Sequence, residues 1–150
     1  MKRFTVILLL AVLTLSLFAC GNKNVPEGQP TIRYNGVPLQ TLTLLVHRTN
    51  GEISVGGDTT VAELVKEHIK SIPYAEISDG TLELVNGREE GITYSIVFSG
   101  IFDENGEQTN YTENALSSLP AGKYIICAQV TERQANFSSV YLYIAGIEKK

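Results

Sequence analysis

The sequence predicts a mainly β protein, an antiparallel β-sandwich of about seven strands with one short helix; an α+β fold is the alternative. Three observations support this prediction. Apolar and polar residues alternate with a period of two in several segments. Asn-Gly pairs, which tolerate the positive φ of tight hairpin turns, occur at residues 35–36, 50–51, 86–87 and 105–106. One segment, residues 60–70, has instead the spacing of an amphipathic helix.

The predicted strands differ in how their two faces are made. The strongest candidates are residues 39–48, 81–85, 92–101, 123–131 and 138–147, and weaker candidates are residues 31–34 and 74–77. Residues 92–99 alternate most regularly, which places Ile96 and Phe98 on the core face and Ser95 in solvent. Residues 124–130 and 140–147 are apolar on both faces. Such a pattern is typical of central strands, or of strands whose outer face is covered.

The predicted helix places an apolar stripe on one side, and Asp58 or Thr59 is the expected N-cap. Pro73 follows it and prevents its continuation. His68 lies beside the stripe, so we expect its ring to bond a backbone carbonyl at the rim of the core. A second short helical turn is expected at residues 113–119.

The first twenty residues have the layout of a secretory signal. A basic start is followed by sixteen uncharged residues, 4–19, and then by Cys20. Sixteen residues are marginal for a spanning helix, which needs about 20. The segment Leu17-Phe18-Ala19-Cys20 resembles the lipobox of bacterial lipoproteins. The resemblance implies that Cys20 is acylated, becomes the first residue after cleavage, and anchors the protein to a bilayer from the extracytoplasmic side.

This layout predicts three segments: a signal peptide at residues 1–19, a lipidated cysteine and tether at residues 20–30, and one sandwich domain at residues 31–150. Removing Lys2 and Arg3 with the signal lowers the formal net charge from −4 to −6. An acidic domain without a basic cluster is a poor nucleic-acid binder. The expected localisation is the cell membrane or outer membrane, and acyl chains do the holding.

The last forty residues resemble the end of an immunoglobulin-like bacterial surface domain. A loop leads into Leu119-Pro120-Ala121-Gly122-Lys123-Tyr124, which opens a strand that is followed by a polar turn and a closing strand. The resemblance implies an immunoglobulin-like sandwich and no particular activity.

Few residues are candidates for a site. Tyr141 and Tyr143 are candidate binding residues, because aromatic side chains are enriched in contact surfaces; ordinary cross-strand packing is the alternative. Asp103, Asn105 and Glu107 offer alternating oxygen atoms and are a weak calcium alternative to a hairpin turn.

No catalytic residues are predicted, since neither His47 nor His68 has a second metal ligand at helical spacing and no G-x-S-x-G elbow is present. Cys127 lies in an apolar strand and is expected to be a buried, inert thiol. It has no intramolecular partner if Cys20 carries lipid, so no internal disulfide is expected.

The function expected from these observations is a lipid-anchored, non-catalytic binding or interaction module with a protein or peptide of the cell envelope as its partner. The alternatives are an inhibitor or accessory subunit of a membrane-proximal enzyme, acting through residues 51–60 or 100–113, and a hydrolase. The domain is expected to fold as a monomer without cofactor or metal.

Overall fold

A computed structural model describes residues 28–50, 53–56 and 58–150. In that part of the chain the strands are β1 (Thr31–Tyr34), β2 (Val37–Pro38), β3 (Leu42–Asn50), β4 (Ile53–Gly56), β5 (Tyr74–Ile77), β6 (Leu82–Val85), β7 (Thr93–Asp103), β8 (Gly122–Gln134) and β9 (Phe137–Lys149). One α-helix, α1 (Val61–His68), continues into a 3₁₀ turn at Ile69–Ser71. A second 3₁₀ segment spans Glu113–Ser118, where a helical turn was predicted.

The strands form two sheets, which confirms the mainly β sandwich. The small sheet has the order β2-β1-β6, and the large sheet has the order β4-β3-β9-β8-β7. β9 is therefore the central strand. The edge of β9 that faces away from β8 pairs with two strands. β3 pairs with residues 137–144, and β5 pairs in parallel with residues 146–149. Gly146 permits this close approach, since a Cβ there would lie 2.7 Å from the carbonyl oxygen of Pro73.

The core between the two sheets is built from the alternating side chains of β8 and β9. Ile126 and Ala145 are fully buried there and pack with Ile32 of the small sheet. Ile96 and Phe98 pack against the same cluster, while Ser95 is exposed. The predicted inner face of residues 92–99 is thus confirmed.

A second core lies on the other face of the large sheet, under α1. Val65 of the helix packs with Phe102, Cys127 and Ile144, all of them buried. The helix closes this face with an apolar stripe, as its periodicity predicts. Residues 124–130 and 140–147 are apolar on both faces because the small sheet covers one face and α1 the other.

The Asn-Gly pairs have two different roles. Asn35 and Gly36 both have positive φ and join β1 to β2, and Gly106 has a φ of 78° in the turn that follows β7. The hairpin turn expected at residues 86–87 is wrong. There the chain passes from the small sheet to the large one, and Asn86 Oδ1 accepts a hydrogen bond of 2.9 Å from the backbone of Ile96. This Asn-Gly pair therefore forms part of the connection between the two sheets instead of a hairpin turn.

The predicted N-cap of the helix is also wrong by one or two positions. Thr60 is the N-cap, and its hydroxyl accepts a hydrogen bond from the backbone of Glu63 at 3.3 Å. The Glu63 carboxylate in turn accepts a bond of 2.7 Å from the Thr60 amide. This reciprocal capping box satisfies more donors than Asp58 or Thr59 could, which explains where the helix begins.

Candidate functional site

The predicted binding residues lie on the central strand of the large sheet. Tyr141 and Tyr143 of β9 point to the same side as Ala145 and Ile147, the side that the small sheet covers. Tyr143 is half-buried and packs against the core between the sheets. Tyr141 lies one position further along this face and is also half-buried. The two tyrosines therefore combine a packing contact with remaining exposed surface.

The register places an apolar neighbour on each side of Tyr141. Leu45 of β3 is its partner on one side, and Val130 of β8 is its partner on the other. Val130 is buried, whereas Leu45 is 50% exposed. We call Leu45, Tyr141 and Tyr143 the tyrosine face. An exposed leucine beside aromatic rings is a combination that is also found in protein contact surfaces.

Two carboxylates border the tyrosine face on the β7 side. Tyr94 lies opposite Glu132 in the register and donates a hydrogen bond of 3.1 Å to Oε2 of Glu89. Desolvation, this hydrogen bond and nearby negative charge raise the pKa of Tyr94 to about 12. Burial is also the main cause that raises the pKa of Tyr143. The phenols thus stay protonated at neutral pH and act as hydrogen-bond donors.

The opposite border of the tyrosine face is basic. The Arg48 guanidinium carbon lies 4.9 Å from the centroid of the Phe137 ring, a cation–π contact. Arg48 Nε also donates to Oγ of Ser139 at 3.3 Å. The face therefore changes from acidic near β7 to basic near β3.

The oxygen atoms of the weak calcium candidate are engaged inside a turn. Asp103 Oδ1 accepts hydrogen bonds of 2.9 Å from the backbone amides of both Asn105 and Glu107. The bond from Glu107 is the largest cause that lowers the pKa of Asp103. The Glu107 carboxylate pairs with Nζ of Lys66 at 2.7 Å. These contacts match the hairpin turn that the sequence offered as the alternative to calcium.

The two histidines and the cysteine have ordinary structural surroundings. His68 Nδ1 lies 3.0 Å from the carbonyl oxygen of Leu64, which confirms the expected bond to a carbonyl. His47 Nε2 lies 3.0 Å from Oγ1 of Thr49. Cys127 is fully buried as predicted, and desolvation raises its pKa to about 12. Among the residues that the structure describes, no three His, Cys, Asp or Glu side chains form a group that could hold a metal ion.

The chain enters the domain beside the tyrosine face. The carbonyl of Gly28 accepts a hydrogen bond of 2.7 Å from the Arg88 amide, and Pro30 is fully buried. Both residues were assigned to the tether. A Cβ on Gly87 would clash with the Gly28 carbonyl oxygen and would lie 2.7 Å from the Tyr94 ring, so these groups are closely packed.

Cys20, the predicted lipidation site, lies outside the described residues. Within those residues, no helix has the length and apolar character needed to cross a bilayer.

Sequence reasoning found the two tyrosines of β9 but missed their neighbours. Leu45 falls in a predicted strand, but the sequence does not show on which face of the sheet its side chain lies, because the bulge between Leu45 and His47 breaks the alternation of β3. Tyr94 lies on the same face of β7 as Ile96 and Phe98, but its carboxylate neighbours Glu89 and Glu132 come from other elements, so the alternation of β7 alone does not reveal them.

No family model, no curated protein and no solved structure matches the chain.

Proposed function

We propose that this protein is a lipid-anchored extracytoplasmic binding module, non-catalytic, that recognises a protein or peptide of the cell envelope. The observation that carries the proposal is the order of features in residues 1–20: a basic start, sixteen uncharged residues, and the lipobox that ends in Cys20. An acylated Cys20 would be held by more than one chain, and two chains give stable anchoring where one binds reversibly.

The tyrosine face supports the binding part of the proposal. Leu45 is half-exposed, and Tyr141 and Tyr143 are each only half-buried. Rigid aromatic side chains lose little conformational entropy on contact. Carboxylates on one border and Arg48 on the other would set the orientation of a partner through complementary charge.

The anchor is tested by replacing Cys20. Cells that express the wild type or Cys20→Ala are labelled with a fatty acid, and the protein is followed through membrane fractionation. The wild type should carry label and sediment with membranes; the variant should carry none and be released or left unprocessed. Label that persists in Cys20→Ala, or that never enters the wild type, refutes the anchor.

The binding face is tested by capture from solubilised membranes. Leu45→Asp places a charge in the tyrosine face, and Val97→Asp is the matched control. Val97 is 60% exposed and lies opposite Gln129, on the other face of the sheet. A partner captured by the wild type should be lost at least about tenfold with Leu45→Asp, which corresponds to about 1.4 kcal/mol. Equal loss with both variants, or loss only with Val97→Asp, would place the contact elsewhere.

A further inference from the structure

We infer that one end of the sandwich lies on the bilayer surface, with arginine side chains against anionic lipid head groups. This end, the hairpin end, carries the turn between β8 and β9, the start of β7 and the loop at residues 86–92. The inference rests on the proposed lipidation of Cys20 and adds to it the surface that the membrane contacts.

The first argument is the length of chain between the anchor and the fold. Seven residues separate Cys20 from Gly28, so the eight residue steps between them can span at most about 28 Å. The chain is fixed to the domain from Gly28 onward, because the Gly28 carbonyl accepts a hydrogen bond from the Arg88 amide and Pro30 is fully buried. The anchor therefore starts from a fixed point on the domain.

That fixed point lies at the hairpin end. Gly28 packs with Gly87 and the Tyr94 ring, and Tyr94 is the second residue of β7. Thr93, next to Tyr94, pairs with Arg133 of β8. Arg133 is followed by Gln134, the last residue of β8 before the turn into β9. Asp103, at the other end of β7, is about 30 Å away at about 3.3 Å per residue. Because the connection from Cys20 can span at most about 28 Å, which is less than the distance from Gly28 to the Asp103 end, the hairpin end is the end held nearest the lipid.

The second argument is the distribution of charge. Arg48, Arg88 and Arg133 lie at the hairpin end, where Glu89, Glu90 and Glu132 balance them. Arg88, Arg133, Glu89 and Glu90 are all exposed, so this end offers exposed guanidinium groups but carries no net charge. The excess acidic residues lie elsewhere: the other end carries Asp103, Glu104, Glu113 and Glu148, while its Lys66, Lys149 and Lys150 pair with Glu107, Asp79 and Glu76. An anionic bilayer repels that acidic end, and guanidinium groups bind lipid phosphate.

The test places a reporter at each end of the full-length protein, purified from membranes and reconstituted into phosphatidylcholine–phosphatidylglycerol vesicles. Ala135→Cys lies in the hairpin turn and Glu104→Cys in the turn after β7, and both positions are exposed. Cys127 is buried and Cys20 is acylated, so a fluorescent maleimide labels the introduced thiol; unaltered protein gives the background. Spin-labelled head groups quench fluorophores near the surface. Quenching at residue 135 should exceed that at residue 104 at least threefold.

Two further variants test the arginines. Arg88→Gln with Arg133→Gln should lower the quenching at residue 135 by at least half on the anionic vesicles and leave it unchanged on pure phosphatidylcholine. Lys123→Gln, an exposed basic residue at the other end, should change neither. Equal quenching at residues 135 and 104 refutes the orientation. Quenching that is insensitive to the double variant refutes the head-group contact.

Flotation of the same vesicles separates this inference from the proposed function. Wild-type protein that floats, and Cys20→Ala that does not, support the anchor whatever the quenching shows. Wild-type protein that fails to float refutes the anchor, and with it the membrane-facing surface.

Discussion

Nζ of Lys149 donates a hydrogen bond of 2.8 Å to the carbonyl oxygen of Ser117. Lys149 is only 8% exposed, and it also lies 3.4 Å from the Leu116 carbonyl and 3.1 Å from Oδ1 of Asp79. The end of β9 thereby satisfies the last carbonyl groups of the second 3₁₀ segment. A cation normally found in solvent thus holds a loop onto the sheet.

Lys149→Met should lower the free energy of unfolding by about 1 to 3 kcal/mol, because the Ser117 carbonyl loses its bond to the ammonium group and the Leu116 carbonyl keeps only the bond from the Leu119 amide. Asp79→Asn should cost less than about 0.5 kcal/mol, since Asp79 is 83% exposed and screened by water. Lys150→Met, which removes an exposed pair with Glu76, is the control. Urea unfolding measures all three. A large loss with Asp79→Asn and none with Lys149→Met would show that the ion pair matters and the carbonyl bonds do not.

Phe98→Ala should cost about 3 kcal/mol, at the lower end of the range for aromatic truncation because the ring is only half-buried in the core between the sheets. Ser95→Ala, on the exposed face of the same strand, should change stability by less than about 0.5 kcal/mol. Chemical denaturation compares the two. Equal effects would contradict the assignment of the faces of β7.

Thr60→Ala should cost about 1 kcal/mol, because it removes the side-chain acceptor of the capping box. Thr59→Ala is the matched control and should be nearly neutral, since Thr59 is exposed and is not the N-cap. Thermal melts followed by circular dichroism compare the two variants. A larger shift with Thr59→Ala would restore the N-cap that the sequence predicted.

The stabilisation by Asp103 should depend on pH. Hydrogen bonds from the amides of Glu107 and Asn105 hold the pKa of Asp103 below its usual value near 4. A lowered pKa in the folded state means that stability is gained above the unfolded pKa and lost as pH falls through the folded pKa. Asp103→Asn should therefore be less stable than the wild type at pH 6, and the difference should shrink below pH 4. A difference that grows in acid contradicts this.

Cys127 should resist alkylation in the folded protein. Its pKa is raised to about 12 by burial, so the reactive thiolate is scarce at pH 8, and the sheet and α1 block access. Iodoacetamide followed by mass spectrometry should modify Cys127 only after denaturation, and dithiothreitol should leave the melting temperature unchanged. Rapid modification of the native protein would show that α1 opens readily.

The sequence predicted the strands better than their partners. The central parts of β7, β8 and β9 follow from alternation and apolar content, which are local properties. The short strands β2 and β4 were missed, and β3 begins at Leu42 instead of residue 39 because Leu39 donates its amide to the Ile32 carbonyl. The parallel pairing of β5 depends on Gly146, which pairs with Tyr74 and is distant from it in the chain. No local sequence pattern predicts such a pairing.

The candidate site divides in the same way. Tyr141 and Tyr143 were found because two-sided apolar strands are visible in sequence. Tyr94, Glu89 and Leu45 meet them only through strand register, which sequence spacing does not give.

The position of β9 has a consequence for how the protein is made. β8, β3 and β5 all precede β9, and all three pair with it. While the chain emerges from a ribosome, β3 has only β4 to pair with, β5 has no partner strand, and α1 has only part of the sheet to cover. This topology delays completion of the large sheet until residue 149 has emerged. The same strand order slows folding, since the pairings of β9 with β3 and β5 close long loops, whereas its pairing with β8 is a local hairpin.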